Sequence, residues 1–151
     1  MILVLDASVV VKWLVPEEGQ LDAFAILDST THVAAPHLIV SEVATALSKK
    51  VRLEAVPLKE AREALNLWLE HFIPKGRPVL HLDEKLLPDA LDLSVKFNHQ
   101  LSDCIYLALA RKLDARLVTA DEKFVSKARL MGEKRVIALG ADLSAGSGGR
   151  R

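Results

Sequence analysis

Short apolar runs alternate with longer stretches of helical periodicity along this chain. Ile2 to Leu5 is an unbroken apolar run, the mark of a strand buried on both faces. Ser8 supplies a cap for a short helix to about Leu14. Pro16-Glu17-Glu18, with proline early and acids in the first turn, predicts a helix start and a helix to about Asp28. His32 to Ala35 is a weak second strand, closed by Pro36. Leu38 to about Arg52 predicts a helix with Ile39, Val43, Ala46, Leu47 and Lys50 near one side. Pro57 begins another, on which Leu58, Ala61, Leu65, Trp68, Leu69 and Phe72 recur at helical spacing.

Pro74, Gly76 and Pro78 punctuate a loop before a third strand, Val79 to Leu82. Leu87 to Phe97 predicts a helix, with Asn98 as a left-handed stop. Ser102-Asp103 opens the next, and Cys104 to Ala110 is apolar all round, so that helix is expected to be buried. Arg116 to Thr119 is a fourth strand, about Glu122 to Met131 a helix, and Arg135 to Leu139 a fifth strand. Strands alternating with helices predict an α/β fold, a three-layer α/β/α domain around a central, mainly parallel five-stranded sheet with right-handed crossovers. The domain is expected over residues 1–139. The small polar stretch 140–151 reads as a flexible tail outside it.

With 151 residues, half of them hydrophobic, the chain fits one globular domain with one core. Its 20 basic and 20 acidic residues balance, so any nucleic-acid binding must come from a local patch. Lys12, Lys49, Arg52 and Lys123 are candidate RNA contacts, set against the plainer reading of solvated charged faces. Cys104 is the single cysteine and predicts a reducing, cytoplasmic setting. No apolar stretch reaches membrane-span length, and no basic segment precedes the first apolar run as in a signal peptide. The five histidines lack the spacing of a helical zinc site, and no glycine-rich phosphate loop occurs. Trp13 and Trp68 fit core or interface positions better than base-stacking platforms.

The candidate chemistry lies where apolar runs end. Asp6 follows the first strand directly, and Asp121 follows the fourth in LVTADEKF. In open parallel sheets, ligands bind outside the carboxyl ends of the strands, so both acids are expected on one edge. Glu42 falls about 60° from Ile39 around its helix, on the border of the apolar face. Asp103 enters the protein with the N-terminus of the buried helix. Each has a plainer reading: helix capping for Asp121, a first-turn acid for Asp103, a flank charge for Glu42. Two carboxylates 4 Å apart repel by roughly 4 kcal/mol at an effective dielectric near 20. Several converging therefore raise one another's pKa or require a cation. Oxygen ligands of this kind select Mg²⁺ or Mn²⁺, the ions of phosphodiester hydrolysis.

These residues resemble those of PIN-domain nucleases, most closely the VapC-type toxins of toxin–antitoxin pairs. The resemblance spans about residues 1–139. It rests on ILVLDAS, the glutamate of SEVATAL, LSDCIYLALA and LVTADEKF, in that order. It implies that Asp6, Glu42, Asp103 and Asp121 form the acidic metal site, with Asp6 and Asp103 its most consistent ligands. It also places Ser8 and Thr119 at the hydroxyl positions beside the acids, where they would orient carboxylates and waters; helix capping and ordinary strand threonine are their plainer readings. Cys104 stands where the family usually has alanine, and both are small. The resemblance further implies a metal-dependent endoribonuclease that leaves 5′-phosphate and 3′-hydroxyl ends on RNA, a homodimer, and an antitoxin that blocks the site. Other readings are a catalytically silent PIN-like binding module, a nuclease acting on DNA, and a Mg²⁺-binding receiver domain. The last needs an acid pair after strand one and a late lysine, and here Asp6 stands alone.

Overall fold

In a computed structural model of the chain, which describes residues 1–29 and 31–143, five strands form one sheet. They are β1 (Ile2–Leu5), β2 (His32–Pro36), β3 (Val79–His81), β4 (Arg116–Thr119) and β5 (Val136–Ala138). Their order is β3-β2-β1-β4-β5 and every pairing is parallel. The mainly parallel sheet read from the sequence is thus wholly parallel. Val4 faces Leu117 and Leu5 faces Val118 across the β1–β4 pairing. Leu3, Val4, Leu5, Leu117 and Val118 have no exposed surface, as an unbroken apolar run on a sheet covered on both sides requires.

Among the described residues, seven α-helices connect the strands: α1 (Ala7–Leu14), α2 (Gln20–Asp28), α3 (Ile39–Arg52), α4 (Leu58–Leu67), α5 (Leu87–Phe97), α6 (Leu101–Lys112) and α7 (Glu122–Leu130). Connections from β1 to β3 step one way across the sheet, and those from β3 to β5 step the other. Right-handed crossovers then put α1–α4 over one face and α5–α7 over the other. The order reverses between β1 and β4, and a crevice opens at such a point beyond the strand ends. The α6 helix runs behind it, with every residue from Cys104 to Ala110 buried. Asn98 closes α5 in the left-handed conformation, at φ 49°.

Four local expectations are corrected. The second helix begins at Gln20 and not at Pro16. Glu17 is drawn instead into ion pairs with Lys12 and Lys50, and Gly19 turns the chain at φ 85°. Lys12, weighed as a surface charge, is buried: its Nζ donates to Glu17 Oε1 at 2.6 Å and to the Glu18 carbonyl at 2.6 Å. Ser8 does not cap α1, because the helix already starts at Ala7. The long amphipathic helix ends as α4 at Leu67 and passes into a π-helical turn, Trp68–Phe72. Leu58 at the start of α4 and Leu69 in the turn stay exposed, while Ala61, Ala64 and Trp68 are buried. Trp68 donates its indole N–H to the Val40 carbonyl, and Trp13 stacks on Phe72 with centroids 5.5 Å apart. Both tryptophans belong to the core. Of the tail, 144–151 lies outside the described residues; Leu143 packs against the core and its carbonyl accepts from Arg116 Nη1 at 2.7 Å.

Candidate active site

Asp6 stands where β1 hands over to α1. Its backbone is still extended and its N–H donates to Val118 O of β4 at 3.1 Å, so the sheet itself fixes where the carboxylate begins. The side chain makes no capping bond to α1. Two hydroxyls converge on one of its oxygens: Thr119 Oγ1 donates to Oδ2 at 2.7 Å and Ser8 Oγ at 3.0 Å. The same hydroxyl oxygens accept from the backbone of the β4–α7 turn, Ser8 Oγ from Ala120 N and Thr119 Oγ1 from Asp121 N, both at 3.0 Å. A small polar network thereby ties Asp6 to both strands, and Oδ1 is clear of both hydroxyls. Burial pushes the Asp6 carboxyl up from its ordinary value; the bonds from Thr119 and Ser8 oppose this and the charge of Asp103 adds to it.

Glu42 lies in the first turn of α3. The Tyr106 hydroxyl, from α6, donates to its Oε1 at 2.7 Å. Burial raises the Glu42 pKa and Tyr106 opposes the rise, while Asp6, Asp103 and Asp83 add to it. Burial together with Asp6 and Glu42 drives the Tyr106 phenol far up, so it remains a donor. Asp103 occupies the first turn of α6. Its Oδ2 meets His99 Nε2 at 2.5 Å and accepts from Gln100 Nε2 at 2.9 Å. Asp121 caps α7, its Oδ1 accepting from Lys123 N at 3.0 Å and Phe124 N at 3.2 Å. The structure therefore brings Asp6, Glu42 and Asp103 into electrostatic reach of one another at the β1–β4 crevice, with Ser8 and Thr119 on Asp6. Asp121 sits on the next turn, where its carboxylate is engaged in capping α7.

Three acids whose charges oppose one another, presenting only oxygen, are a donor set suited to a hard divalent cation. Among the described residues, no three His, Cys, Asp or Glu side chains close into a finished coordination cluster. Three participants escaped the sequence reading. Asp83 accepts from Leu38 N at 3.0 Å at the start of α3 and bears on Glu42; it follows β3 closely, the signal that picked out Asp6. Tyr106 was hidden in an apolar run. His99 was weighed only as a zinc ligand, although its spacing of four from Asp103 was visible. Of the candidate RNA contacts, Lys49, Arg52 and Lys123 are exposed.

Comparison with known proteins matches residues 3–130 to the PIN domain family. Ribonuclease VapC3 of Pyrobaculum aerophilum is 32% identical over 125 residues, covering 83% of this chain and 93% of the relative. Ribonuclease VapC9 of Mycobacterium tuberculosis is 31% identical over 119 residues, covering 79% and 85%. Among solved structures, the Mycobacterium tuberculosis toxin VapC20, described as cleaving the Sarcin-Ricin loop, superposes with a TM-score of 0.56 at 14% identity. It covers 78% of this chain and 87% of that one; that likeness concerns the fold.

Proposed function

The chain belongs to the PIN domain family, and from that premise we propose that it is a divalent-metal-dependent endoribonuclease, the toxin of a toxin–antitoxin pair. The observation that carries this reading is the trio Asp6, Glu42 and Asp103, delivered by β1, α3 and α6 to one crevice, with burial and mutual repulsion raising Asp6 and Glu42. Relatives named as VapC ribonucleases, alike over most of their length, support it.

In this reading Asp6, Glu42, Asp103 and Asp121 would hold Mg²⁺ or Mn²⁺. Such an ion, when bound, orients a phosphate and lowers the pKa of an attacking water. The chain's own part is to fix the oxygens. Ser8 and Thr119 anchor Asp6 by Oδ2, and Tyr106 anchors Glu42 by Oε1. In this reading the other Glu42 oxygen would accept the proton of the attacking water. Water adds to phosphorus and the 3′-oxygen departs with a proton, leaving a 5′-phosphate and a 3′-hydroxyl. Exposed Lys49, Arg52 and Lys123 are available to RNA phosphates. We extend the proposal to a homodimer, to an antitoxin that covers the crevice, and to a cytoplasmic setting. Among the described residues no helix is long and apolar enough to cross a membrane.

The test is cleavage of a mixed single-stranded RNA by the purified chain with Mn²⁺, with Mg²⁺, with EDTA, and with Asp6→Asn. Cleavage that requires metal and is lost in the variant is the expected result. Metal binding without cleavage of any RNA would leave the binding-module reading in its place.

A further inference from the structure

Asp6 and Asp103 are held in the same manner. Each has a single carboxylate oxygen, Oδ2, engaged by two side-chain donors. On Asp6 these are the hydroxyls of Ser8 and Thr119. On Asp103 they are His99 Nε2 at 2.5 Å and Gln100 Nε2 at 2.9 Å. In both residues the second oxygen is clear of these donors.

His99 is itself firmly seated. Its ring stacks on Phe124 of α7, with centroids 4.8 Å apart and planes 14° apart. Its carbonyl accepts from Ser94 Oγ at 2.6 Å. The preceding residue, Asn98, gives its carbonyl to Lys127 Nζ, also of α7, at 2.5 Å. The α5–α6 turn is thus fastened to α7 at two points, and the side chains of His99 and Asp103 are only 16% and 12% exposed. Gln100 is exposed and lacks such a seat.

We infer that His99 is a positioning residue of the acidic site: braced by Phe124, it fixes Asp103 through Oδ2 and so presents the second oxygen to the crevice. This rests on the metal-site reading above and adds a residue to it. Partners that orient a ligating side chain typically carry about ten- to a hundredfold of metal affinity. The bracing also gives Asp121 a route to Asp103 that needs no shared ligand. By capping α7, Asp121 holds the first turn on which Phe124 sits.

The test compares wild type, His99→Ala and His99→Gln. Alanine removes both the donor and the stacked ring. Glutamine loses the ring but keeps an N–H donor at about the reach of Nε2. Mn²⁺ affinity is measured by titration calorimetry and by the loss of free-ion Mn²⁺ resonance, and the melting temperature of each metal-free protein is recorded. The expected result is Mn²⁺ binding about tenfold or more weaker in His99→Ala and within about threefold of wild type in His99→Gln. Both variants should melt lower, because both lose the stack. Unchanged affinity in the alanine variant overturns the inference. Equal loss in both variants overturns it too, since stacking alone would then explain the effect. A wild type that binds no Mn²⁺ fails at the earlier step and removes the metal site itself.

Discussion

Asp6 is the residue on which structure and chemistry pull in opposite directions. Burial penalises its charge, and the Asp103 charge adds to the penalty. Asp6→Asn keeps the shape and an oxygen for both hydroxyls while removing that charge. It is expected to lower RNA cleavage by at least about a hundredfold, since in the proposed site this group would hold the ion directly. The metal-free variant should nevertheless melt higher than wild type near neutral pH. The sign follows from the raised folded-state value: the folded state binds the proton more tightly than the unfolded one, so the wild-type handicap grows as pH rises through the raised value. It closes as pH falls to the ordinary carboxylate range. Melting curves of both proteins in EDTA across that range check this. Asp6 and Asp121 were legible in the sequence because each stands just after a strand, whereas Ser8 and Thr119 came as site residues only from the family resemblance. The plainer reading of Asp121 as a helix cap is also realised. Tyr106 and His99 were not legible as site residues. Tyr106 reaches Glu42 across 64 positions, and His99 takes its meaning from a ring on α7, so only the tertiary fold assigns either a task.

At the scale of elements, two junctions hold the helices over the sheet. The π-helical turn after α4 seats Trp68 with no exposed surface. Trp68→Ala should cost about 3–5 kcal/mol of stability in denaturant titration. RNA cleavage by the fraction still folded should persist, because the crevice is built from other elements. The second junction is Glu17, which binds Lys12 of α1 and Lys50 of α3 at once. Burial alone would raise its pKa, but the bonds from the two lysines outweigh burial and hold it below the ordinary value. A depressed carboxyl stabilises the fold above its unfolded value, and that contribution fades as pH falls through the folded one. Glu17→Gln should therefore destabilise by about 1–3 kcal/mol at pH 7, leaving Lys12 buried beside a neutral partner. Urea titrations at pH 7 and below pH 4 should show the difference shrinking. The sequence placed most helices within a few residues, since their apolar periods are long. It misplaced the start of α2 because proline followed by acids signals a helix only when the acids are not needed elsewhere.

For the whole molecule, the element order alone predicted a parallel sheet but not which strands are neighbours. That β1 lies between β2 and β4 is a product of packing, and it is what makes Asp6 and Thr119 adjacent. A ligand that binds only the folded state stabilises the entire domain. Mn²⁺ at about a hundred times its dissociation constant should add roughly 2.7 kcal/mol. For a domain of this size that raises the melting temperature by about 5–10 °C. Calorimetric scans with and without Mn²⁺ measure it, and Asp6→Asn should respond far less.

The central position of β1 has a consequence in time. Within the domain, β1 leaves the ribosome well before Arg116–Thr119, which cover its second edge, and chains are made at about 5–20 residues per second. Thr119, which steadies Asp6, lies 113 positions downstream. Until β4 has been made, β1 lacks its second neighbour and Asp6 lacks Thr119, so a nascent chain carries Asp6 without the frame that holds it. Ribosomes stalled before β4 would hold fragments in which this crevice is unfinished, so the interval between making Asp6 and framing it is set by the order of the strands.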